Sequence, residues 1–246
     1  MSGADGSDRR AKPLRVAASG IYGASAWLHR RIARRLAPRR GRPSCVVVSV
    51  GGLTLGGSGK TPLAACLAVG LRERGLRVVL ASRGYRGSGR ARVQLVSDGA
   101  RIHSTVARSG DESLVLAAHA PGVPVLVGRD RRHVGHHAVA VFDAEVLVLD
   151  DGFQHHRLVR DLDLVCLDGQ AGLGNGHVVP WGPLREPASA LRFADALCIV
   201  DPVEGQGLPE PCRAFAALGR PVLRAHRRAR FLTSLDHSTR RPLEEL

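Results

Sequence analysis

Apolar residues fall into short runs at 45–50, 77–81, 124–127, 146–149, 162–167, 196–200 and 221–223, most of them built from Val, Leu and Ile. Runs this short suit strands, and near-continuous apolarity suits strands covered on both faces. Helix-compatible segments separate several of them, at 62–73, 111–120, 129–142, 188–193 and 209–218. The alternation predicts an α/β fold, a mostly parallel sheet with helices on both faces. One stretch departs from it: between 92 and 105, two alternating runs flank Ser97-Asp98-Gly99, the pattern of a β-hairpin inserted beside the candidate site at the first strand-to-helix junction.

The first strand-to-helix junction carries chemistry. Thr54-Leu55-Gly56-Gly57-Ser58-Gly59-Lys60-Thr61 joins the run at 45–50 to the helix at 62–73, the strand, glycine loop and helix order of a P-loop nucleoside-triphosphate site. Gly56, Gly57 and Gly59 let backbone N–H groups approach phosphate oxygens, and the helix N-terminus adds unpaired donors. Lys60 is expected to reach the β- and γ-phosphates of ATP and Thr61 to hold Mg²⁺. Thr54 stands where the P-loop pattern has its first glycine. Opposite the loop, the run at 146–149 ends in Asp150-Asp151, a Walker B arrangement that can hold the Mg²⁺ shell. A second acidic pair, Asp111-Glu112, opens the helix at 111–120 and reads either as an N-terminal cap or as a general base for an acceptor hydroxyl.

The composition narrows the partners. A chain of 246 residues with 44% hydrophobic content can bury a sizeable core. Its net charge of +14 favours anionic partners: nucleic acid, an anionic membrane surface or phosphorylated substrates. Aromatics at 4% disfavour a stacking-based single-strand binder, so no nucleic-acid partner is expected. Only Lys12 and Lys60 are lysines among 36 basic residues; a compact ammonium has been kept in the phosphate loop. Five scattered cysteines without CxxC spacing read as reduced, buried and structural.

Along the chain, residues 1–13 read as a disordered N-terminus. Residues 14–40 hold a basic, apolar segment too short in its uncharged part to span a bilayer. An amphipathic helix in the membrane interface fits it, with docking on the core or a signal peptide as rivals. A P-loop core over 44–200 follows, and 201–246 is the rest of that core or the start of a second domain. His133, His136 and His137 share a helical face at metal-like spacing, but Arg129, Arg131 and Arg132 beside them favour a solvated basic face.

Taken in order, the motifs resemble one family. They are Ser49-Val50-Gly51-Gly52-Leu53-Thr54 running into Gly56 to Pro62, Ser82-Arg83-Gly84-Tyr85, Gly110-Asp111-Glu112, Asp150-Asp151-Gly152-Phe153-Gln154-His155, Gly174-Asn175-Gly176, and Gly182-Pro183-Leu184-Arg185-Glu186-Pro187. The chain is similar to the tetraacyldisaccharide 4'-kinases, which phosphorylate the acylated glucosamine disaccharide precursor of lipid A. The family also has Thr or Ser at the Thr54 position, but an Asn where this chain has Gly52. The resemblance implies ATP and Mg²⁺ as cofactors, a lipid A disaccharide precursor as acceptor, and peripheral attachment at the cytoplasmic face of the bacterial inner membrane. It implies Asp111 as catalytic base with Lys60, and Asp150 and Asp151 serving Mg²⁺. Arg83, Tyr85, Glu112, Gln154, His155, Arg185 and Glu186 would line the cleft. It also implies a larger C-terminal domain than this chain carries, and Asp236-His237 falls too early to match that domain's Asp-His motif. A nucleotide- or lipid-binding remnant and another P-loop ATPase are the alternative readings.

Overall fold

The computed structural model describes residues 16, 19–20, 22–26, 28, 30–32, 41–84, 87–89, 91–205, 207–228, 231–233 and 240–242. The expectation for residues 1–13, and those for Tyr85 and for Asp236-His237, lie outside them. Eight strands form one sheet: β1 (Val46–Gly52), β2 (Val78–Ser82), β3 (Gln94–Ser97), β4 (Val125–Val127), β5 (Val146–Asp150), β6 (Leu162–Asp168), β7 (Ala196–Val200) and β8 (Val222–Ala225). Their spatial order is β3-β4-β2-β5-β1-β6-β7-β8, parallel throughout except for the β3–β4 pair. A separate antiparallel pair joins β9 (Phe231–Thr233) to β10 (Arg240–Pro242).

Strand parity explains how both faces are filled, because alternate side chains leave a strand in opposite directions. From β5, Val146 and Val148 join one cluster with Leu80, Cys166 and Cys198, while Leu147 and Leu149 join the opposite one with Val79 and Ala81. On the first face lie α1 (Lys60–Glu73) and α3 (Asp111–His119), which follows the single turn α2 (Val106–Ser109). The buried residues of α1 are Ala64, Ala65 and Ala68, small enough to let the helix backbone close on the sheet. On the other face, α4 (Arg131–Phe142) buries Val134, Gly135 and Ala138 over β2, β4 and β5. Farther along, α5 (Glu210–Ala217) and a 3-10 helix (Ala188–Phe193) cover β6 and β7 with Phe215, Cys212 and Leu191.

Three expectations need correction. The stretch 92–105 does turn back at Ser97-Asp98-Gly99, through the Ser97–Ile102 bridge and the bonds from Asp98 N–H to the Arg101 carbonyl and from His103 N–H to the Val96 carbonyl, but its first strand, β3, also joins the main sheet antiparallel to β4. Burial drives this, since Leu95 and Val96 pack into opposite clusters of the main core, which a detached hairpin could not offer. Residues 188–193 form a 3-10 helix, a short connector between Pro187 and β7. Among the cysteines, Cys166, Cys198 and Cys212 are buried and Cys45 half-buried, but Cys66 is exposed on the outer side of α1; all five are free.

Described residues between 16 and 32 are helical. Ser19, Gly23 and Arg30 turn inward: Ser19 donates to the Val178 carbonyl at 2.7 Å, and Gly23 sits against Val178 and Pro187. Val16, Tyr22, Leu28 and Ile32 are 40–50% exposed. Among the described residues, no helix is long and apolar enough to cross a membrane.

Candidate active site

The glycine loop follows β1 at the carboxyl edge of the sheet. Leu53 and Thr54 are buried, Leu55, Gly56 and Gly57 are exposed, and Ser58 and Gly59 turn back inside. Positive φ angles at Gly56 (90°) and Gly59 (75°) make the turn, and Gly59 caps α1. The loop's entry is braced from outside. Leu55 N–H donates to the Pro183 carbonyl at 2.8 Å, Arg185 N–H to the Leu53 carbonyl at 2.6 Å, and Thr54 bridges Leu184 in antiparallel fashion. Thr54 is thus 9% exposed and serves as a strand position, which gives its place in the pattern a structural role.

The charged groups converge here. Lys60 Nζ lies 3.4 Å from the Gly56 carbonyl, 3.4 Å from Ser58 Oγ and 4.0 Å from Asp151 Oδ1. Thr61 Oγ1 donates to Asp150 Oδ2 at 3.0 Å, and Arg185 Nη1 donates to Asp151 Oδ2 at 2.6 Å. Asp151 takes φ 54°, which turns the chain sharply after β5. Burial pushes the Asp150 carboxyl up to about 6, against the Thr61 bond and with added repulsion from Asp151 and Glu112. The Oδ1 atoms of both aspartates are buried without hydrogen-bond partners. Two orphaned carboxylate oxygens beside a threonine hydroxyl form a hard-oxygen donor set that suits Mg²⁺.

Gly52 closes β1 against the loop. A Cβ there would stand 2.9 Å from Ser58 Oγ and 3.2 Å from Lys60 Cδ, so its absence gives the loop and its lysine room. Its carbonyl accepts from Gln154 Nε2 at 2.9 Å.

The remaining expected residues divide. Asp111 is exposed in the first turn of α3, its Oδ1 accepting the Glu112 N–H at 2.9 Å, and Glu112 is near enough to repel the Asp150 charge. Arg83 is exposed at the end of β2. His155 is half-buried; its Nε2 is buried without a partner, and burial, then the Arg131 charge, push the imidazole down to about 4. Glu186 does not line the cleft: it is 4% exposed and bound to Arg30 at 2.7 and 2.9 Å.

Sequence reasoning missed Arg131, read as part of a solvated face. It is 2% exposed, donates to the Gly128 carbonyl at 3.1 Å, and feels the charges of Arg83, Asp151 and Asp150. Burial pulls its guanidinium down to about 10. A signal existed: Arg131 shares the apolar stripe 131, 134, 135, 138 of α4. His133 and His136 are exposed and His137 half-buried.

Among the described residues, two cavities lie at carboxyl ends of the sheet's strands, neither of them lined by the glycine loop itself. One of about 520 Å³ lies beyond β6 and β7 and is walled by Leu167, Leu173, Ile199, Leu208 and Cys212. The other, about 580 Å³, lies beyond β2 and β4; Arg83, Arg92, Arg108 and Arg129 line it, and its acid, Asp130, is engaged by Arg132.

Comparisons with known proteins agree with this geometry. The family model for tetraacyldisaccharide-1-P 4'-kinase matches residues 11–246. A tetraacyldisaccharide 4'-kinase of Syntrophus aciditrophicus is 50% identical over 155 residues, 63% of this chain and 41% of that protein. One from Anaeromyxobacter dehalogenans strain 2CP-C is 45% identical over 210 residues, 85% of this chain and 54% of that protein. The chain therefore spans about half the length of the curated relatives it matches. The crystal structure of LpxK from Aquifex aeolicus in complex with ATP superposes with a TM-score of 0.72 at 30% identity, over 88% of this chain and 64% of that one. With sequence, fold and motif order in agreement, the chain belongs to the tetraacyldisaccharide-1-P 4'-kinase family.

Proposed function

We propose that the chain transfers the γ-phosphoryl of ATP to the 4'-hydroxyl of tetraacyldisaccharide 1-phosphate at the cytoplasmic face of the bacterial inner membrane. The convergence of Lys60, the Thr61–Asp150 bond and the Asp151–Arg185 pair on one glycine loop carries this reading.

The loop N–H groups and the α1 N-terminus receive phosphate oxygens, with Lys60 against the β- and γ-phosphates. Thr61, Asp150 and Asp151 would hold Mg²⁺, which when bound supplies charge neutralisation across the phosphates. The acceptor oxygen forms its bond to the γ-phosphorus as the bond to the ADP oxygen breaks, and the hydroxyl proton passes to Asp111. Arg131 and Arg83 add positive charge where the transferring group gathers negative charge. The apolar cavity suits the nucleoside, and the arginine-lined one suits the acceptor's own phosphate. The exposed apolar side chains Val16, Tyr22, Leu28 and Ile32 suit contact with a membrane surface that brings the acylated acceptor.

The test is phosphorylation of tetraacyldisaccharide 1-phosphate in detergent micelles with Mg²⁺ and ATP. Lys60→Ala is expected to abolish product and weaken nucleotide binding, and Asp111→Ala to abolish product while sparing binding. A folded chain that binds ATP and yields no product would overturn the catalytic reading and leave a binding protein.

A further inference from the structure

The acidic residue expected in the cleft, Glu186, is instead clamped by a residue 156 positions earlier. Arg30 Nε and Nη2 donate to the two carboxylate oxygens of Glu186 at 2.7 and 2.9 Å, with side chains 5% and 6% exposed. The same guanidinium lies 4.4 Å from the Phe153 ring centre and 5.0 Å from that of Phe193. Phe153 is itself fully buried and pressed on β1, where a Cβ at Gly51 would fall 2.4 Å from its Cβ.

These contacts bear on a single ion pair. Glu186 follows Arg185, whose guanidinium holds Asp151 and whose N–H holds the Leu53 carbonyl at the loop entry. Phe153 stands two residues after Asp151, and Gln154 next to it holds the Gly52 carbonyl. One buried guanidinium therefore braces both partners of the Asp151–Arg185 pair, each from a residue one or two positions away.

We propose that Arg30 is a positioning residue for the phosphate site, setting through Glu186 and Phe153 the geometry of Asp151 and Arg185 around Lys60. A buried ion pair adds little net stability over well-packed apolar side chains of the same volume. Its bidentate form does fix distance and rotation together, and a lysine in place of the arginine loses the fork while keeping the charge. The inference rests on the nucleotide-binding reading above.

The test measures binding of a fluorescent ATP analogue with Mg²⁺, alongside urea unfolding, in two sets of variants. Arg30→Lys, Arg185→Lys and their combination keep every charge. Each single change is expected to weaken binding about tenfold, and the combination no more than either, because both act on one geometry. The paired change Arg30→Met with Glu186→Leu removes both buried charges, and is expected to keep the unfolding midpoint while binding stays weakened. Full-strength binding by Arg30→Lys, or single effects that multiply in the combination, would overturn the positioning role. So would parent-like binding by a stably folded paired variant. Lys60→Ala separates the two levels: if it binds the analogue as the parent does, the nucleotide reading itself fails.

Discussion

Gly59 tests how the phosphate loop is held, because two separable terms act there. Its φ of 75° lies in the left-handed region, where a Cβ costs about 1–2 kcal/mol. The added Cβ would also meet Val200 Cγ1 at 2.8 Å and Cγ2 at 3.0 Å, well inside ordinary contact. Val200 is 2% exposed in β7 and has little room to yield, so overpacking adds about 1–3 kcal/mol. Gly59→Ala is therefore expected to destabilise the chain by about 2–5 kcal/mol in urea unfolding, and to weaken binding of a fluorescent ATP analogue as the loop shifts. Val200→Ala removes both offending methyls. Alone it costs the packing it deletes; combined with Gly59→Ala it should relieve most of the overlap, leaving the backbone term and a tight 3.2 Å contact with the residue 200 Cβ, a favourable coupling of about 1–3 kcal/mol. Additive effects in the double variant would refute the steric half of the argument. A Gly59→Ala chain within about 0.5 kcal/mol of the parent would refute both halves.

Two further outcomes follow from buried groups. His155, held down to about 4 by burial and the Arg131 charge, is neutral in both folded and unfolded chains above its ordinary 6.5. As pH falls from 6.5 toward 4 the unfolded chain takes up a proton that the folded one resists, so up to about 3 kcal/mol of stability is lost in that window. Measured from pH 7.5 to 4, the parent should lose stability relative to His155→Gln as pH falls, since the opposite contribution of the raised Asp150 is common to both, and parallel curves would count against the burial. Arg131→Met should leave the unfolding midpoint unchanged or raised, since it removes a buried charge, while phosphoryl transfer falls about tenfold or more as positive charge leaves the phosphate site. Unaltered turnover would show that Arg131 merely packs.

The parts of this fold legible in the sequence are those fixed by neighbours along the chain. β5 is buried at all five positions, and its run of Val and Leu ending in two acids is what a central parallel strand requires. The glycine loop is equally local: turn, donors and lysine lie within eight residues, and the paired carboxylates are placed by the parallel β1–β5 register. What was missed depends on partners far away. The strand at 94–97 is legible as half of a hairpin, but not as an edge of the main sheet, because that takes the edge of β4 and both faces of the core. Thr54 departs from the glycine pattern in a way the resemblance accommodates, but its physical reason, the bridge to Leu184, lies 130 residues away. Arg131 has a local clue in its stripe on α4, yet a chain so rich in arginine makes any one of them look like solvated surface. Glu186 is the extreme case. Its place beside Arg185 argues for the cleft, and only the helical segment carrying Arg30, 156 residues away, turns the carboxylate inward. Between Arg185 and Glu186 the chain thus sends one side chain to Asp151 and the next to Arg30, so a single dipeptide joins the phosphate site to the segment that carries the exposed Val16, Tyr22, Leu28 and Ile32.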